Sequence, residues 1–202
     1  MKKIGVIAIV LSMFAFTFTY SKSVDVIDAY KAKSVSMLLA GLGGYQGECL
    51  QITLKNTSQT PQEISIPPGL IFRCNDTTSQ DLMTVENYML ALKPSETKLL
   101  ALQTVCVKQH RGGPRNNSIF TYSNKAIGSL KAIAELIAEK NYHNSTAQAA
   151  VWSITDDYDL ASIYSDDTLM ARELAKFVSD ATGKPMPKII IPKPHYIYAV
   201  SY

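Results

Sequence analysis

Residues 49–56, Cys49-Leu50-Gln51-Ile52-Thr53-Leu54-Lys55-Asn56, alternate strictly: Leu50, Ile52 and Leu54 fall on one face, and Cys49, Gln51, Thr53 and Lys55 on the other. A period of two over this length is the pattern of a half-buried β-strand, because successive side chains of an extended chain point to opposite faces. The flanking sequence has the same character. A polar break at 56–61 precedes a short strand at 63–66, and Pro67-Pro68-Gly69 makes a turn in which the prolines fix φ and Gly69 permits a positive one. A further strand follows at 70–74, a turn cluster at 75–79, an extended run at 82–92, a turn at Lys93-Pro94-Ser95-Glu96, and a strand at 97–108 that is apolar on both faces. Turn signals at this spacing predict a small antiparallel β-sandwich over residues 35–110, preceded by a polar lead at 22–34 that could hold a short helix.

Beyond Arg111-Gly112-Gly113-Pro114-Arg115-Asn116-Asn117 the apolar period lengthens from 2 to about 3.6, the repeat of an α-helix. The domain boundary is therefore expected in this loop, with a helical subdomain over 124–183 packed on the sandwich. Asn124 is placed to cap a first helix with the stripe Ile127, Leu130, Ile133, Ala134 and Ile137. A second runs from Ser145 to about Thr155. A third starts at Asp166 or Asp167, carries Leu169, Met170, Leu174, Phe177, Val178 and Ala181, and stops at Gly183 and Pro185. The tail, 188–202, is β-like again, with Tyr196, Tyr198, Val200 and Tyr202 on one face. The fold class expected is α+β: a sandwich of immunoglobulin-like kind, three helices and a C-terminal strand.

The N-terminus gives an address. Met1, Lys2 and Lys3 precede an uncharged apolar run, 4–20, that ends near the small residues Thr19 and Ser21, the order of a secretory signal peptide over 1–21. Without Lys2 and Lys3 the formal net charge falls from +3 to +1. A near-neutral chain lacks the basic face that phosphate backbones require, so nucleic acid is not an expected partner. The expectation is a bacterial exported protein, secreted or held in the periplasm or cell envelope, with no transmembrane span after cleavage and a protein or cell-surface ligand.

Three cysteines in an exported chain leave at least one thiol unpaired. The preferred pair is Cys49 with Cys74, both on predicted strands, which leaves Cys106 over; all three could equally be small buried apolar residues. The segment Thr146-Ala147-Gln148-Ala149-Ala150-Val151-Trp152 resembles the helix motif of the thioester domains of secreted bacterial adhesins, and Val105-Cys106-Val107 resembles the strand that carries their cysteine. The resemblance implies a thioester-domain-like fold in which Gln148 supplies an acyl group and Cys106 the sulfur of an internal thioester that captures a nucleophile on a partner surface. It covers about ten residues around Gln148 and three around Cys106. Val105 replaces an aromatic residue or Leu, and only 42 positions separate the pair. A plainer reading stands beside it: Ser145-Thr146-Ala147-Gln148 has the spacing of a capping box, in which Gln148 would bond back to the Ser145 N–H and Trp152 would only pack.

Other constellations are weaker. Cys106 and His110, with His143 and His195, do not form a zinc spacing, and Asp156, Asp157, Asp159, Asp166 and Asp167 lack the glycine and closing Glu of a calcium loop, so they read as solvated turns and helix caps. Asn56-Thr57-Ser58 has the form of a glycosylation acceptor, of consequence only in a eukaryotic secretory route. No phosphate loop, metal set or triad spacing is present, and no cofactor is expected. The leading expectation is a non-catalytic exported binding or envelope protein; the covalent Cys106–Gln148 module is the alternative.

Overall fold

The structure, a computed structural model, describes residues 23–188. The signal segment at 1–21 and the C-terminal strand expected within 188–202 lie outside the described residues, apart from Lys188 itself.

The chain is α+β. In order it forms β1 (Val24–Asp25), α1 (Val26–Lys31), β2 (Val35–Leu42), β3 (Gln46–Asn56), β4 (Gln62–Ile66), β5 (Leu70–Cys74), β6 (Leu82–Thr84), β7 (Tyr88–Leu92), β8 (Thr97–Cys106), β9 (Asn116–Lys125), α2 (Gly128–Lys140), α3 (Ser145–Thr155), a 3-10 turn (Leu160–Ser162) and α4 (Thr168–Thr182). Six strands close into a barrel in the order β2-β3-β8-β6-β5-β9, and β1, β4 and β7 form a separate three-stranded sheet. A closed barrel replaces the expected open sandwich. Closure gives each of the six strands a neighbour on both sides, so the ring has no terminal strand.

The sorting of strands departs from the sequence reading at two places. The extended run at 82–92 divides: β6 joins the barrel, while β7 pairs with β4 in the smaller sheet. And the β unit does not end at residue 110, because β9 lies beyond the glycine-rich loop and pairs with both β2 and β5. Asn124, expected as a helix cap, is a residue of β9. Gly128, at φ +55°, turns the chain into α2, so Ile127 falls outside the buried stripe at 82% exposure, while Ile133, Ala134 and Ile137 are buried as expected.

Alternation along the strands builds two cores. Leu70, Phe72 and Cys74 of β5, Leu82 of β6, Leu102 and Cys106 of β8, Leu50, Ile52 and Leu54 of β3 and Phe120 of β9 join one apolar cluster, with Val26 and Ile27 of α1 and Ile64 and Ile66 of β4. The residues between them, Ile71, Met83, Val105 and Val107, face the other way and pack with Ala147, Ala150 and Val151 of α3, Ile133 and Ile137 of α2 and Leu174 and Val178 of α4. The helices therefore cover the outer face of β5, β6 and β8. Helix α4 has the ends predicted for it: Asp167 accepts from the N–H groups of Leu169 and Met170, and Gly183 closes the helix in the left-handed conformation.

Barrel closure depends on close backbone approach at Gly41. A Cβ there would stand 2.7 Å from the Arg115 carbonyl oxygen and 3.3 Å from the Phe120 ring. Gly41→Ala is expected to destabilise the protein by about 1–3 kcal/mol, since the β2–β9 seam must shift to admit a methyl group. A urea denaturation midpoint equal to the parent's would refute that account of the seam.

Candidate functional site

The site is built at the end of β8. Strand β3 pairs with β8 from Lys55 opposite Thr97 to Gln46 opposite Val105, then turns away through Gly44 and Tyr45. On its other side β8 continues against β6, with Val107 N–H donating to the Asp81 carbonyl at 3.1 Å. The N–H and C=O of Cys106 point toward the place β3 has left. Buried backbone groups require partners, and here a side chain provides both: Cys106 N–H donates to Gln148 Oε1 at 2.8 Å, and Gln148 Nε2 donates to the Cys106 carbonyl at 2.8 Å. The carboxamide of Gln148 continues the ladder by one position.

Helix α3 makes that reach possible. Its N-cap is Asn144, whose Oδ1 accepts from Thr146 N–H at 3.1 Å and Ala147 N–H at 3.2 Å. Residues 146–151 are all buried, and the short side chains of Ala147, Ala149 and Ala150 let the helix lie close to the strand. The capping box is replaced by this arrangement: Asn144 caps the helix, and Gln148 turns to Cys106 instead of back to Ser145. Thr146 Oγ1 donates to the Tyr164 carbonyl at 2.8 Å and ties down the segment after the 3-10 turn. Asp81, Gln80 and Lys108 hold the end of β8: Lys108 Nζ lies 2.8 Å from Asp81 Oδ2, Lys108 N–H donates to Gln80 Oε1 at 3.2 Å, and Cys74 N–H donates to Asp81 Oδ1 at 3.2 Å.

Cys106 and Gln148 are essentially inaccessible, at 0% and 1% exposure. Burial, and after it the neighbouring Cys49, push the Cys106 thiol up to about 12. Cys49 is also raised by burial, opposed first by a hydrogen bond with the Thr104 side chain; its thiol donates to the Gln46 carbonyl at 2.9 Å. All three cysteines are free and buried. The Cys49–Cys74 bridge expected from the sequence is not formed in the structure, because β3 and β5 stand on opposite sides of the six-strand ring. The structure thus brings Cys106 together with Gln148, and separates the other pair.

Beside Gln148 lies a cavity of about 250 Å³ lined by Tyr45, Ser145, Gln148, Ala149, Trp152, Tyr158, Ser162 and Tyr164. Trp152 and Tyr158 meet edge to face, with centroids 5.9 Å apart. Tyr45 and Tyr164 are 50% and 63% exposed. Sequence reasoning missed the three tyrosines, which come from the β2–β3 turn and from both sides of the 3-10 turn, and placed Trp152 in the helix motif or, in the plainer reading, in the packing. The acidic residues near this region serve structure: Asp159 caps the 3-10 turn through Ala161 N–H, Asp167 caps α4, and Asp157 pairs with Lys184. Among the described residues no helix is long and apolar enough to cross a membrane. No protein-family model matches the chain, and neither a curated protein nor a solved structure is found to resemble it.

Proposed function

We propose that this is an exported surface-binding module whose Cys106 and Gln148 form an internal thioester, a covalent point of attachment to a partner. One observation carries the reading: the two residues singled out by the local resemblance, 42 positions apart on a strand and a helix, meet in the core, where both polar ends of the Gln148 carboxamide bond to the backbone N–H and C=O of Cys106. In the forming step Cys106 Sγ attacks Gln148 Cδ, the Cδ–Nε2 bond breaks, and Nε2 leaves as ammonia with the thiol proton. The Cys106 N–H already lies on Oε1, where negative charge develops in the tetrahedral intermediate, so it acts as an oxyanion donor. In the capturing step a nucleophile on the partner takes the acyl group, and its proton passes to the departing sulfur.

Burial has opposite effects on the two steps. A thiol held near 12 is rarely ionised at neutral pH, which slows bond formation. The same dry surroundings exclude water from the finished ester, and the thiolate still departs more readily than an alkoxide. The fold reading that goes with this proposal is thioester-domain-like.

A second reading is favoured by the same two hydrogen bonds: Gln148 as a purely structural clamp in a non-catalytic binding or envelope protein. Intact mass separates them. The mature protein recovered from an exporting host is expected to be lighter than its sequence by one ammonia, to add methylamine, and to release one thiol as it does so. Cys106→Ala is expected to remove the mass loss at a packing cost of about 1 kcal/mol. An unmodified parent mass, together with three thiols on unfolding, would leave only the clamp.

A further inference from the structure

The cavity over Gln148 has a chemistry of its own. Its walls combine four aromatic rings, from Tyr45, Trp152, Tyr158 and Tyr164, with the hydroxyl-bearing Ser145 and Ser162, and among the described residues no lining residue is charged. A site for a carboxylate, a phosphate or an ammonium group is expected to offer a counter-charge, since a desolvated ion without one is costly. The neighbouring ion pair, Lys184 with Asp157, is self-compensated. At about 250 Å³ the cavity falls below the range of roughly 300–1,000 Å³ typical of drug-sized ligands, so it admits one ring and not a length of peptide. Exposed tyrosines offer flat faces for the C–H face of such a ring. Trp152 contributes its ring to this wall; its indole Nε1 is itself buried, without a hydrogen-bond partner among the described residues.

We infer that this cavity is a subsite for one ring of a neutral saccharide, stacked on Tyr45 and Tyr164 and hydrogen bonded by Ser145 and Ser162. The inference rests on the thioester reading only for what happens next: Gln148 forms part of the wall but its side chain is buried, so a ring hydroxyl reaches the acyl carbon only when binding opens that wall. That oxygen would bond to Cδ, the Cδ–S bond would break, and the hydroxyl proton would pass to Cys106 Sγ.

Trp152 is the one tryptophan of the chain, so its fluorescence reports on this wall. The experiment titrates the Cys106→Ala protein, which cannot acylate anything, with glucose, galactose, mannose, N-acetylglucosamine and their neutral oligomers, and with cadaverine as a cationic amine. A saturable fluorescence change with at least one neutral saccharide is expected, weakened about three- to tenfold by Tyr45→Ala and by Tyr164→Ala, each of which removes a single exposed ring. No response to any of the saccharides, a response unaltered by both tyrosine substitutions, or saturation by cadaverine alone would overturn the inference. Loss of covalent capture by the parent protein, with saccharide binding to Cys106→Ala intact, would overturn the thioester alone.

Discussion

Gln148→Ala, made in a chain that already carries Cys106→Ala, is expected to lower the unfolding free energy by about 3–5 kcal/mol. The Cys106→Ala background removes any cross-link, so the measurement isolates the hydrogen bonds that the carboxamide makes to the backbone at position 106. Both bonds are 2.8 Å long and lie in the core. Removing them strands a buried N–H and a buried C=O, each costing about 1–3 kcal/mol, and leaves a void where the side chain stood. Against a typical total of about 5–15 kcal/mol, that is a large fraction of the stability. Gln148→Glu is expected to do at least as much damage, because an oxygen replaces Nε2 opposite the Cys106 carbonyl and a charge enters a dry site. Urea denaturation of the two double variants checks both; a loss under about 1 kcal/mol would mean that water or a backbone shift satisfies residue 106 without Gln148.

The second large effect is expected at Asn56, where β3 ends. Its side chain is wholly buried and uses four hydrogen bonds: Nδ2 donates to the Thr60 carbonyl at 2.8 Å and to the Leu92 carbonyl at 3.1 Å, and Oδ1 accepts from Ser58 N–H at 2.9 Å and Ser58 Oγ at 2.8 Å. The residue fixes the β3–β4 connection and joins the barrel to the end of β7. Asn56→Ala is expected to cost about 2–4 kcal/mol, and Asn56→Asp to be nearly as damaging although its shape is unchanged, since two donors become acceptors facing carbonyls. Thermal melts of both variants provide the check, and an Asp variant as stable as the parent would show that shape, not donor placement, matters there. The same burial removes Asn56 from consideration as a glycosylation acceptor in the folded protein.

Much of the barrel was legible because its strands alternate. Leu50, Ile52 and Leu54 announced the buried face of β3, and β5 occupies the residues predicted for it. Cys49 broke the pattern for a local reason: the β3–β8 register shifts between Glu48 and Leu50, and this irregularity leaves Cys49 buried alongside Leu50. What alternation cannot convey is which strands become neighbours. The separation of β6 from β7, the closure of the ring, and the distance between Cys49 and Cys74 all follow from pairing across the chain, for which no local signal exists. The helix ends were readable from caps at Asp167 and Gly183, and misread at Asn124 because an asparagine near a composition change suits a strand end as well.

At the site, Gln148 stands out as a polar residue amid the alanines of α3, and its carboxamide bonds to the backbone of Cys106. The competing capping box failed because Asn144 took the cap first. The cavity beside Gln148 had no sequence signal, since its three tyrosines are scattered through two connections and share no period.

The position of β9 carries a consequence for how the molecule comes to exist. It is the last strand of the ring in the chain, yet it sits between β2, the first, and β5, so that Leu39 and Phe120, some 80 residues apart, must meet before the ring is whole. During synthesis the preceding strands wait with two open flanks until residue 125 has emerged, a long-range requirement of the kind that slows folding and exposes strand edges to other chains. A fragment ending at residue 110 would never pass that stage, and the helices would have no finished surface to dock on.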